Sequence, residues 1–167
     1  MVYGLVNGGT TGDHSFFPCR LTSGSDNAGY TRDKLSEKET KLLLILLVGV
    51  GGFFGAVMRY AVTNWVQDFL HTLSLPAGTL TVNILGCLFI GLLGGLSESR
   101  NLLSQEARAL LLLGVLGGFT TFSAFGYETV QLLRDGQSLA AFSNIGLQVC
   151  LGLAAVWIGY SISQTAS

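Results

Sequence analysis

The chain has 167 residues, of which 49% are hydrophobic and only 11% charged. Average soluble domains carry about 25% charged residues, so a mean hydropathy of +0.53 points to a membrane protein. A formal net charge of −1 gives no reason to expect a nucleic-acid partner, and 23 glycines against 2 prolines suit closely packed helices rather than a linker.

Residues 1–40 are rich in Gly, Ser, Thr, Asp and Asn and have no sustained apolar period. They read as a disordered or loosely attached extension. A secretory signal needs a basic start and then an apolar core, and this segment has neither. Residues 41–167 read as a membrane domain of four helices, about 42–70, 76–97, 104–133 and 138–162.

The first span opens on the aliphatic run Leu42–Val50. It exceeds the roughly 20 residues that a spanning helix needs, so tilt or an interfacial end is expected. Gly51 and Gly55, four apart, let another helix approach closely. Arg59 is the span's basic residue. It either serves a function inside the membrane or reaches out to an interface.

Pro76 starts the second span, where proline is well tolerated. Thr79 and Asn83 share one face of it. An Asn in a membrane helix either bonds a neighbouring helix or lines a wet path.

The third span starts at Ser104-Gln105-Glu106, a good helix opening with an acid in the first turn. Its apolar run Ala109–Leu116 meets Gly117 and Gly118, which are expected to interrupt the helix. Thr120, Thr121 and Ser123 follow, interleaved with Phe122 and Phe125. Non-helical backbone at membrane depth is tolerated only against protein or a water-filled cavity. A broken helix also turns unpaired carbonyls and amides toward the midplane, where transport proteins hold ions. Glu128 is the only acid well inside a span, and Gly136 is the stop signal beyond it.

The fourth span carries Asn144, Gln148 and Gly152 at helical spacing, a stripe that reads as a lining. Trp157 and Tyr160 suit the aromatic belt. Cys19, Cys87 and Cys150 form no disulfide framework or metal motif. His14 and His71 are isolated, the spans hold no carboxylate pair, and no phosphate loop is present, so an enzyme is not expected.

GGFFGAVMRY, GTLTVN, GGFTTFSAF followed by Glu128, and Asn144/Gln148/Gly152 occur in the order found in one family. Over Leu42–Ser163 the chain resembles the Fluc (CrcB) fluoride channels. That resemblance implies an all-α membrane protein of four helices, broken in the third and paired as an antiparallel, dual-topology dimer. It implies passive fluoride export across the cell membrane through two pores, with a structural sodium ion at the dimer centre. Main-chain carbonyls of Gly117 and Thr120 would hold the sodium. Phe122, Phe125 and Asn83 would line the pore, with Thr79, Ser123, Asn144 and Gln148 on a polar track. Relatives often carry Tyr or Ser where this chain has Asn144 and Gln148. The partner would be an identical chain or a paralogue, with lipid around both.

The chemistry agrees with this resemblance. Fluoride is small and strongly hydrated, and Asn, Thr, Ser and Gln can replace its water with donors. A phenylalanine ring has a positive edge that can meet an anion. The main alternative is a small dual-topology exporter of cations or drugs. Such a device needs an acid near mid-span; the first helix has none, and Glu128 lies beyond the expected break.

Overall fold

The computed structural model describes residues 25–70, 75–100 and 103–165. The chain divides into two compact units, Met1–Ser36 and Glu37–Ser167. The described residues of the first unit, 25–36, are helical. Helix α1 is Ser25–Phe69, so it starts well before the apolar run at Leu42. Glu and Lys are good helix formers, and Glu37 pairs with Lys41 one turn on, in the favoured Glu-before-Lys order. The rest of the expected N-terminal extension, and His14, Cys19 and His71, lie outside the described residues.

The other elements are α2, Ala77–Arg100, the two halves of the third helix, and α4, Ser138–Thr165. The first half, α3a, covers residues 105–119. It is α-helical over Gln105–Arg108, π-helical over Ala109–Leu116 and α-helical again over Gly117–Phe119. The second half, α3b, is Phe122–Arg134. Among the described residues, four segments are long and apolar enough to cross a membrane: Ser36–Phe69, Ala77–Glu98, Gln105–Arg134 and Ser138–Thr165. At most 28% of any span's apolar window is buried within the chain, which leaves most of that surface to lipid or to another chain.

The third helix breaks later than the glycine pair suggests. Gly117 and Gly118 remain helical, and the break falls on Thr120 and Thr121, both extended at φ −89°, ψ 158° and φ −151°, ψ 117°. The glycines have other work. A Cβ on Gly118 would sit 2.6 Å from the Gly52 carbonyl oxygen, and one on Gly114 would sit 2.9 Å from the Gly51 Cα. α1 and α3a therefore touch backbone to backbone, the contact that small residues four apart allow. Gly91 on α2 and Gly159 on α4 meet the facing helix backbone in the same way.

Ser104 caps α3a by accepting from the Ala107 amide, as its sequence suggests. At the end of α3b, Gly136 adopts φ 74°. Its amide reaches Leu133 O at 3.1 Å and the Gln137 amide reaches Leu132 O at 2.9 Å. This is the glycine-terminated stop that lets the chain turn at once into α4.

Candidate functional site

The site is the break and what holds it open. Thr120 closes α3a twice, through its amide and its hydroxyl, both to Leu116 O at 3.0 and 3.1 Å. Thr121 then starts α3b, its Oγ1 accepting from the Ala124 amide at 3.2 Å. A β-branched residue with a capping hydroxyl suits both an extended backbone and an N-cap.

Asn83 pins the break from α2. Its Oδ1 accepts from the Thr121 amide at 2.8 Å, and its Nδ2 donates to Thr121 O at 3.0 Å. The side-chain amide thus pairs both backbone groups of one residue, as a neighbouring strand would. Its second N–H goes to Gln148 Oε1 at 3.1 Å, which ties α2, the break and α4 together.

This pairing frees two carbonyls. In an unbroken helix the Thr121 amide would bond Gly117 O, and the Ala124 amide would bond Thr120 O. The first goes to Asn83 and the second to the Thr121 hydroxyl. Arg59 reaches Thr120 O with Nη1 at 3.3 Å. The guanidinium therefore turns inward rather than out to an interface, and it meets the negative end of α3a, where a cation is favoured.

Two cavities flank the break. One of about 390 Å³ is lined by Asn83, Cys87, Thr121, Phe122, Phe125 and Gln148, among others. The two rings lie 5.3 Å apart between centroids at 60°, an edge-on arrangement. Phe122 is 83% exposed within the chain. Gln148 Nε2 is buried and has no hydrogen-bond partner among the described residues. A buried donor left without an acceptor is costly, so this atom marks a place for one.

The other cavity, about 520 Å³, is lined by Arg59, Thr79, Thr121, Ser123, Tyr127 and Glu128, among others. Thr79 donates to Glu128 Oε1 at 2.6 Å, and the Thr121 and Ser123 hydroxyls lie 3.2 Å apart. The residues singled out from the sequence therefore fall into two groups that meet at Thr121. Asn83, Phe122, Phe125 and Gln148 stand on one side, and Thr79, Ser123, Arg59 and Glu128 on the other.

Asn144 joins neither group. It is 1% exposed and donates to Thr129 Oγ1 at 2.9 Å. Gly117 lies at the surface of the chain, where an added Cβ would meet only Leu112 O, at 3.9 Å. Thr129 and Cys87 were not legible as site residues. A threonine in an apolar helix reads as a hydroxyl bonded back to its own turn, and the spacing of Asn144 reads as a pore lining rather than as a partner for it.

Among the described residues no three His, Cys, Asp or Glu side chains gather to hold a metal ion. The donors freed at the break are neutral carbonyl oxygens, the ligand type that hard cations prefer.

The family model described as CrcB-like protein, Camphor Resistance (CrcB), matches residues 46–160. The chain is 46% identical over 115 residues to the fluoride-specific ion channel FluC 1 of Methanosarcina acetivorans, covering 69% of this chain and 86% of that protein. It is 44% identical over 123 residues to the fluoride-specific ion channel FluC of Pseudomonas putida, covering 74% and 98%. Against the protein of that name from Flavobacterium psychrophilum the identity is 42% over 120 residues, covering 72% and 96%. All four spans fall largely within the matched stretch, including the break and the residues that pin it, and the chain belongs to the CrcB family.

Proposed function

We propose that this chain is a fluoride-selective channel that lets fluoride leave the cell passively across the cell membrane. The relatives' names supply the ion. The observation in this chain that carries the reading is the unpartnered Gln148 Nε2, buried beside the Phe122 and Phe125 rings. Both N–H groups of Asn83 are already engaged, so Asn83 acts by holding the break and by orienting Gln148. Because Asn83 occupies Gln148 Oε1, it leaves the Nε2 protons for an anion. The ring edges add positive potential on the same path, and the Arg59 guanidinium draws anions to the hydroxyl-lined cavity across the break.

The working unit in this reading is an antiparallel dimer with an identical chain or a paralogue. The exposed Phe122 ring and the surface at Gly117 are what a second chain would cover. Gly117 and Thr120 carbonyls from both chains would then converge on a sodium ion at the two-fold axis. Thr120 O has two lone pairs, so its long contact with Arg59 leaves room for a cation. The sodium would be structural, fixing the two breaks against each other.

Efflux from proteoliposomes loaded with fluoride or chloride tests this proposal. Fast fluoride loss with little chloride loss is expected. Equal loss of both ions, or no fluoride loss from well-assembled protein, refutes it. Proton-coupled uptake of an organic cation in the same vesicles would favour the exporter reading instead.

A further inference from the structure

We propose that Asn144 and Thr129 are a positioning pair that sets the rotation of α3b and so aims the Phe122 and Phe125 rings. The inference rests on the fluoride-channel reading for its consequence but not for its geometry. α3b carries both rings. A helix is fixed as a rigid body only if it is held at two places, and a hold at its end alone leaves it free to turn about its axis. The first hold is at Thr121, where Asn83 binds the backbone on both sides of the peptide. The second must lie along the side of the helix, where α2 reaches Glu128 through Thr79 at 2.6 Å and α4 reaches the next residue, Thr129.

Packing alone does not supply it. Thr129 is the single buried residue of α3b, and its side chain is small and polar. Phe122, Tyr127, Val130 and Leu133 are all exposed within the chain. What grips Thr129 is a hydrogen bond. Asn144 Nδ2 donates to Thr129 Oγ1 at 2.9 Å, and Thr129 Oγ1 donates to Phe125 O at 2.7 Å. The chain of donors runs one way, from the α4 side chain to the backbone of the ring-bearing residue. Each bond in such a chain polarises the next. Both side chains are buried, at 1% and 7% exposure, so water competes poorly for either.

Distance along the helix makes the second hold effective. Thr129 lies eight residues beyond Thr121, about 12 Å along the axis at 1.5 Å per residue. On α4, Asn144 lies one turn from Gln148, which shares the cavity with the rings. One face of α4 therefore supplies the cavity's free donor and also the pin that turns the rings toward it.

The test uses the full chain in liposomes, with Thr129→Val, Thr129→Ser and the double variant Asn144→Leu/Thr129→Val. Replacing one buried partner leaves the other unsatisfied, while replacing both with apolar groups of similar shape is close to neutral for stability. The double variant is therefore expected to melt near the wild-type temperature and yet to carry fluoride at least about tenfold more slowly. Thr129→Ser keeps the hydroxyl and is expected to recover most of the flux lost in Thr129→Val. A para-fluorophenylalanine at Phe125 supplies a readout that does not need conduction. Its fluorine NMR line is expected to move or broaden in Thr129→Val and in the double variant, and to return toward the wild-type position in Thr129→Ser. A double variant with wild-type flux and an unmoved ring line overturns the proposal. An unmoved line with reduced flux also overturns it, because the effect then does not pass through the ring. A moved line with unchanged fluoride flux upholds the positioning role and counts against the ring's part in the channel reading.

Discussion

At the residue scale the site turns on two side-chain amides, Asn83 with every N–H engaged and Gln148 with one end free. Asn83 uses one oxygen and two N–H groups on Thr121 and Gln148. Asn83→Asp keeps the shape but removes both donors and sets a carboxylate oxygen against Thr121 O. Each acceptor left without its donor is worth about 1–3 kcal/mol, so the variant should melt well below the wild type in detergent. A melting point unchanged by Asn83→Asp would mean that the break is held by something else. Gln148 is the opposite case, with one side bound and one free. Gln148→Leu should lower the melting temperature, because it leaves one Asn83 N–H without its acceptor, while the chain still assembles, and it should reduce fluoride efflux by about tenfold or more, the loss of one charge-assisted donor in the path. Undiminished efflux from that variant would remove Gln148 Nε2 from the route.

At the scale of elements, the third helix shows why adjacent glycines need not break a helix. Gly118 lies against Gly52 and Gly114 against Gly51, where only backbone fits. Gly117 faces open surface. Gly118→Ala forces α1 and α3a apart, and overpacking of this kind costs about 1–3 kcal/mol. Gly117→Ala meets nothing closer than 3.9 Å and should leave the melting of the isolated chain unchanged. In the proposed dimer it should instead weaken pairing or the response to sodium. Parallel melts and cross-linking yields for the two variants separate these effects. Equal damage to chain stability from both substitutions would contradict the packing seen here.

At the scale of the whole molecule, the inward turn of Arg59 alters the charge balance that orients the chain. With four spans, Lys38, Lys41, Arg100 and Arg108 fall on the side of both termini, and Arg134 falls on the other. Arg59 is held at Thr120 O and adds to neither flank. The positive-inside rule then favours termini in the cytoplasm. A Ser167→Cys variant lacking Cys19, Cys87 and Cys150 should label with an impermeant thiol reagent from the cytoplasmic side only. In the proposed antiparallel dimer, such an oriented chain would need a partner inserted the other way, and that partner would be a paralogue. Equal labelling from both sides would make the chain its own partner.

Four spans, their approximate limits, the small-residue contacts and a break near GGFTTFSAF all follow from local composition, because hydropathy, glycine and capping hydroxyls act within one or two turns. The N-terminal limit of α1 did not follow, since an apolar period says nothing about a helix that continues through polar residues. The exact seat of the break, the inward reach of Arg59, the split of the polar residues into two cavities and the pairing of Asn144 with Thr129 also depend on the fold. Each is a choice between partners distant in sequence, and a side-chain amide or guanidinium can serve several. Asn83 could have bonded any neighbour; the backbone contact of α1 with α3a and of α2 with α4 brings Thr121 and Gln148 within its reach, and that proximity decides the chemistry.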